Sequence, residues 1–128
     1  AGLGDLNKIK RLLNNGHSVN ERDTFGATPL LVAMVAGKEE VVDFLLSQNA
    51  NPLLEAKDGY TIMHGAAFSG KKSLVRKALS YELDINSRYG PDGITPVDVA
   101  EENGDALPFL RALGGKTAWE LGRIFQKE

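Results

Sequence analysis

The chain has 128 residues, 15 basic and 17 acidic, for a formal net charge of −2. That length holds one structural unit, and the balanced charge argues against a general nucleic-acid binder, which carries a basic stripe. Cysteine is missing, which removes disulfide and thiolate chemistry and fits an intracellular, cytoplasmic setting. In chain order, the pattern first predicts an amphipathic helix near 5–14, closed at Gly16. A turn at Phe25-Gly26 leads into a helix over 28–36. There Thr28 is an N-cap, Pro29 takes the first helical position, and Gly37 is the terminating glycine. A helix over 40–48 follows, with apolar residues at helical spacing and Asn49 at its end.

The turn Asp58-Gly59 opens the next pair. It comprises a helix over 61–69, capped by Thr61 and ended by Gly70, and a helix over 73–80, with Glu82 at the strained left-handed position. Asp92-Gly93 leads to a helix over 95–103, opened by Thr95-Pro96 with Asp98 in a near capping box and ended by Gly104. A helix over 106–113 carries the stripe Leu107, Leu110, Leu113; Pro108 is tolerable there within the first turn after an Asp105 N-cap. The last helix, 117–126, starts with the capping box Thr117-Ala-Trp-Glu120.

These elements recur. Gly26, Gly59 and Gly93 are spaced by 33 and 34 residues, and Thr28, Thr61, Thr95 and Gly37, Gly70, Gly104 keep the same steps. A fixed period of this size means stacked supersecondary units that lean on their neighbours. The copies read Gly26-Ala-Thr-Pro-Leu-Leu-Val-Ala33, Asp58-Gly-Tyr-Thr-Ile-Met-His-Gly-Ala-Ala67 and Asp92-Gly-Ile-Thr-Pro-Val-Asp-Val-Ala100, with later halves such as Gly16-His-Ser-Val-Asn20 and Leu83-Asp-Ile-Asn86. In these residues the chain resembles the ankyrin repeat family. The resemblance covers nearly its whole length. It implies an all-α solenoid of helix-turn-helix units with finger loops, about four repeats plus a C-terminal capping helix.

The expected division is a partial repeat at 1–23, repeats at 24–57 and 58–90, a shortened repeat at 91–115 and a cap at 116–128. Gly4 stands one period before Gly37, so the first unit is expected to carry only its second helix and its finger. The chain does not begin with Met; it was cut, or lost a leader before Ala1, which would admit an organelle, or continues from an upstream segment. The other departure is at Gly114-Gly115, where about one finger has been deleted before the last helix.

A search for chemistry is nearly empty. His64, three residues after Thr61, is placed to bond back to the turn backbone, and His17 lies in an exposed finger turn. Neither has a partner at metal-ligand spacing. No nucleophile elbow or P-loop occurs. Glu101 and Glu102 diverge by about 100° on a helix, which argues against a paired acid/base site. No enzymatic activity, cofactor or metal is expected. The longest apolar run, 30–36, is far short of a membrane span.

The remaining asset is surface. The resemblance implies binding of a protein partner along the concave side, through finger tips and exposed parts of the first helices. Carried onto this sequence, those positions are Phe25, Ala27, Val35, Lys57, Asp58, Tyr60, Phe68, Ser69, Arg88, Tyr89, Ile94, Glu102 and Asn103. Four aromatics fall in this set, and aromatics dominate interface hot spots. The alternative is a structural subunit held permanently in a larger multiprotein assembly. Trp119, in register with Leu30, Met63 and Val97, is expected in the core, and Lys71, Lys72, Arg76 and Lys77 on a solvated helix face.

Overall fold

A computed structural model of the chain describes residues 2–100, 102 and 104–126, with side chains for 6–100, 102 and 104–122. Its described residues form eight helices: α1 Gly2–Asn14, α2 Pro29–Ala36, α3 Glu39–Ser47, α4 Ile62–Ser69, α5 Lys72–Leu79, α6 Pro96–Val99, α7 Ala106–Ala112 and α8 Ala118–Gln126. No strand forms among the described residues; the nearest approach is an isolated antiparallel bridge between Tyr89 and Ile94. The molecule is an all-α stack of helix pairs. An inner row, α2, α4 and α6, packs along itself, while α3, α5 and α7 each back the inner helix before them.

Local chemistry sets the ends of these helices. Thr28 has extended backbone and its hydroxyl accepts from Leu31 N–H, with Pro29 filling the first position. Gly37 and Gly70 close α2 and α4 in the left-handed region, at φ 71° and 76°. Asn49 and Glu82 hold the same conformation at φ 66° and 63°, so the glutamate carries the expected mild strain. The last helix has its capping box: Thr117 N–H donates to Glu120 at 2.9 Å and Glu120 N–H to the Thr117 hydroxyl at 3.1 Å. The first of these bonds, helped by Arg111, holds the Glu120 carboxyl down at about 2.

Two expectations fail in the fourth unit. The inner helix does not run over 95–103; α6 ends at Val99 and Ala100 is extended. Gly104 is not among the glycines with positive φ. It serves contact instead. A Cβ there would lie 2.5 Å from the Gly70 carbonyl oxygen, and that oxygen accepts from Asp105 N–H and Ala106 N–H at 3.1 and 3.3 Å. The chain leaves the helix early and lays its backbone against the end of α4. The Asp105 carboxylate also accepts no N–H of α7; it accepts from Lys72 N–H at 2.7 Å, capping α5.

The core is one continuous strip of Leu, Val, Met, Ile and Ala from Leu30 to Leu110. Trp119 lies outside it. Its register mates Leu30 and Met63 are 0% exposed and Val97 7%, but Trp119 is 69% exposed. Those three are covered by α3, α5 and α7; among the described residues no outer helix follows α8.

Two polar rungs, two periods apart, join neighbouring units. The Asn20 carboxamide accepts from Asn51 N–H at 2.8 Å, and the Asn86 carboxamide from Lys116 N–H at 2.8 Å. The basic cluster on α5 is not simply solvated. Lys71 donates to the Gly37 carbonyl at 2.7 Å, Lys77 pairs with Asp43, and Lys72 and Arg76 lie over the Phe109 ring at 4.9 and 5.5 Å. Long side chains here tie α5 to both adjacent units.

Candidate functional site

The fingers build one wall of the groove. Phe25 N–H and Ala27 N–H both donate to the Asp23 carboxylate, at 2.8 and 2.9 Å, which shapes the first tip. Successive tips then join: Lys57 N–H donates to the Phe25 carbonyl at 3.1 Å and Gly90 N–H to the Asp58 carbonyl at 2.9 Å. Gly26 needs its φ of 76° and lies against the next finger, since a Cβ would meet Lys57 N at 3.3 Å.

Between fingers and inner helices lies an open hollow of about 580 Å³. Phe25, Ala27, Val35, Lys57, Asp58, Tyr60 and Tyr89 of the expected set all line it, with Leu31, Val32, Ala36 and Ala56 added. Phe25 and Val32 are 72% and 52% exposed, so the hollow is an apolar surface in water. Phe68 and Ser69 lie at the exposed end of α4, outside the hollow; Phe68 is 54% exposed, and the Ser69 hydroxyl bonds back to the Ala66 carbonyl at 2.6 Å. Arg88 is exposed, and Ile94 is turned into the Tyr89 bridge. Glu102 is exposed and apart from the hollow, and Asn103 lies outside the described residues. Val32 and Leu31 escaped the sequence reading because the repeat pattern marks them only as helix positions; their burial depends on which neighbour stands opposite.

Behind the hollow, Tyr60, His64 and Tyr89 form an aromatic cluster. Tyr60 stacks on His64 at 5.1 Å between centroids, and Tyr89 meets both edge-on at 4.8 Å. His64 is fully buried. Its Nδ1 accepts from Thr61 N–H at 3.2 Å and its Nε2–H donates to the Ile94 carbonyl at 2.8 Å. The bond back to the turn is therefore present, and a second bond reaches the next finger. Burial pushes the His64 pKa below its ordinary value, while the Ile94 and Ser87 carbonyls and the charges of Glu55 and Asp98 pull the other way. Burial, with Tyr89 adding to it, raises the Tyr60 phenol to about 12. At neutral pH both rings are uncharged, so the cluster presents a rigid, neutral wall.

Three solutions stand at the His64 position. In α6 it is Asp98, whose carboxylate takes Thr95 N–H at 3.0 Å and then Ala118 N–H at 2.9 Å. In α2 it is Leu31, which makes the hollow greasy at that point. No group of three His, Asp or Glu residues among those described is arranged to hold a metal ion. No described helix is long and apolar enough to cross a membrane.

Comparison with known proteins agrees with this architecture. Residues 1–89 match the family model for ankyrin repeats, in three copies. An ankyrin repeat protein of Fowlpox virus (strain NVSL) is 35% identical over 97 residues, 72% of this chain and 28% of its own length. A homolog of transient receptor potential cation channel subfamily A member 1 from Caenorhabditis elegans is 35% identical over 111 residues, 87% of this chain and 9% of its own. The ankyrin repeat, SAM and basic leucine zipper domain-containing protein 1 of Notamacropus eugenii is 35% identical over 109 residues, 80% of this chain and 22% of its own. The chain thus spans less than a third of each relative.

Proposed function

We propose, from the premise that this chain belongs to the ankyrin repeat family, that it is a protein-binding module whose partner docks in the concave hollow and on the finger tips. Ankyrin repeats are generally protein–protein interaction modules and typically non-enzymatic. The observation that carries the reading to this surface is the exposure of Phe25 and Val32 around a hollow of about 580 Å³. A monomer rarely leaves such contiguous apolar surface in water without use. The aromatic wall of Tyr60 and Tyr89 suits an apolar or aromatic anchor from the partner, and Lys57 and Asp58 at the rim supply polar contacts that fix its orientation.

The test is affinity capture with the 128-residue chain as bait, followed by direct titration of the captured protein. Replacing Phe25→Ala together with Tyr60→Ala should weaken binding by about 2 kcal/mol or more, roughly thirtyfold. Lys77→Ala on α5, away from the hollow, should leave affinity within a few-fold of the parent. Equal affinity for the aromatic double variant and the parent would move the interface elsewhere.

A further inference from the structure

The concave surface changes character along the stack, and both of its rims change in the same direction. At the finger tips the register row runs Phe25, Asp58, Asp92. At the ends of the inner helices it runs Val35, Phe68, Glu102. Each row starts apolar and ends on a carboxylate. The floor follows suit: α2 and α4 contain no Asp, Glu, Lys or Arg, whereas α6 contains Asp98. Asp58, Asp92 and Glu102 are all exposed. No ion pair among the described residues engages their carboxylates.

The whole charge inventory of these units agrees. The three finger-and-inner-helix segments, 20–37, 53–70 and 87–104, hold eight acids and three bases. The first two hold Glu21, Arg22, Asp23 and Glu55, Lys57, Asp58, a net −1 each. The third holds Asp92, Asp98, Glu101 and Glu102 against Arg88, a net −3. The outer-helix segments that follow them, 38–52, 71–86 and 105–116, hold six acids and seven bases. The concave side is therefore negative relative to the back of the same units. Two of its three bases are turned to the chain itself. Arg22 donates to the Glu55 carbonyl at 3.2 Å, and the Arg88 side chain lies against Gly93, where an added Cβ would meet its Cδ at 3.2 Å.

We infer, on the reading that partners dock in the concave hollow, that the docked segment is a basic peptide stretch with one bulky apolar anchor. The anchor fills the hollow between Phe25, Val35 and Tyr60. Lysine or arginine side chains lie over Asp92 and Glu102, and Phe68 stands between as a further apolar step. Neighbouring inner helices pack roughly 8–10 Å apart, which separates anchor and bases by roughly 10–20 Å, or about three to six residues of extended chain. Buried apolar contact at the anchor supplies most of the affinity. The carboxylates set the direction in which the segment lies, because only one end of the groove concentrates them. Acidic segments and nucleic acid meet like charge here and are disfavoured.

The experiment pans a random peptide library displayed on phage against the 128-residue chain and titrates synthetic copies of the selected peptides. These peptides should carry lysine or arginine on one side of an apolar residue, at about that spacing. Asp92→Lys with Glu102→Lys, checked for folding by circular dichroism, should weaken them about tenfold at low ionic strength, with the loss shrinking as salt rises. Glu40→Lys, an exposed acid on α3 outside these segments, should bind like the parent. Peptides that lose affinity in Phe25→Ala with Tyr60→Ala, but not in Asp92→Lys with Glu102→Lys, would overturn the basic partner and leave the hollow standing as the site. Sensitivity to the charge pair alone would remove the apolar anchor. Indifference to both double variants would sink the hollow itself. A selection dominated by neutral or acidic sequences, or one that yields no binder, would equally end the proposal.

Discussion

His64 joins two units, and its removal has a magnitude that follows from its surroundings. In His64→Ala the Thr61 N–H and the Ile94 carbonyl lose their buried partner, at about 1–3 kcal/mol each. The ring also leaves a void between Tyr60 and Tyr89, and large-to-small changes cost about 2–5 kcal/mol. These effects overlap, and we expect a loss of about 3–5 kcal/mol, a large share of the ~5–15 kcal/mol that holds a domain together. Urea denaturation followed by circular dichroism measures it. The pH dependence gives a second, sharper reading. Burial lowers the folded-state pKa of His64 below 6.5, so the unfolded chain binds the proton more readily. The contribution is complete above pH 6.5 and is lost as pH falls from there through the folded-state pKa. At about pH 5.5 the loss is at most about 1.4 kcal/mol for this one group. His64→Gln does not titrate, and Gln in the third helical position can still accept from Thr61 N–H. The parent should therefore lose more stability than His64→Gln between about pH 7.5 and 5.5. Identical pH profiles, or a cost below about 1 kcal/mol for His64→Ala, would refute the view that a neutral His64 locks these units together.

The other expectations concern single contacts. Gly104→Ala places a methyl 2.5 Å from the Gly70 oxygen and should destabilise by about 1–3 kcal/mol; an unchanged urea midpoint would show that the segment shifts freely. Gly122→Ala in α8 has nothing within 4 Å and should stabilise by roughly 0.5–1 kcal/mol, read as a higher melting temperature. A double-mutant cycle on Lys77 and Asp43 should give a coupling below about 1 kcal/mol that fades in high salt, because the Asp43 side chain is largely in solvent and Lys77 is only part-buried.

The fold was legible because its signals are local. A Thr three residues before a Glu, Asp or His, a Pro behind it, and a Gly at the end each state a backbone conformation in the sequence itself, and Gly26, Thr28, Gly37, Thr61, Gly70 and Thr117 behave accordingly. What stayed hidden depends on neighbours. Gly104 looks the same as Gly70 in the repeat pattern, yet one is required by φ and the other by a backbone pressed against it. Trp119 sits at a core register but needs a helix across from it to be buried. Lys71 and Lys77 read as solvated because sequence does not show a carbonyl or carboxylate one unit away. Of the groove, the finger aromatics Phe25, Tyr60 and Tyr89 could be placed by register alone, whereas Leu31 and Val32 acquire their role from the gap beside them.

Gly65 lies outside the finger hollow, yet it permits the close approach of α2 and α4. A Cβ there would meet Met34 Cβ and Val35 Cγ2 at 3.2 Å and Leu31 Cδ1 at 3.4 Å, so the missing methyl lets α2 and α4 lie close along their length. In register with it stand Val32 and Val99, each with a branched side chain. The register positions of this stack are therefore unequal, and at Gly65 alone of the three the side chain is missing. Swapping in a larger side chain would fan the two helices apart there and spread the fingers of Phe25 and Tyr60. If a partner docks in the hollow as proposed, its affinity would then respond to a residue outside the hollow, with every lining side chain left in place.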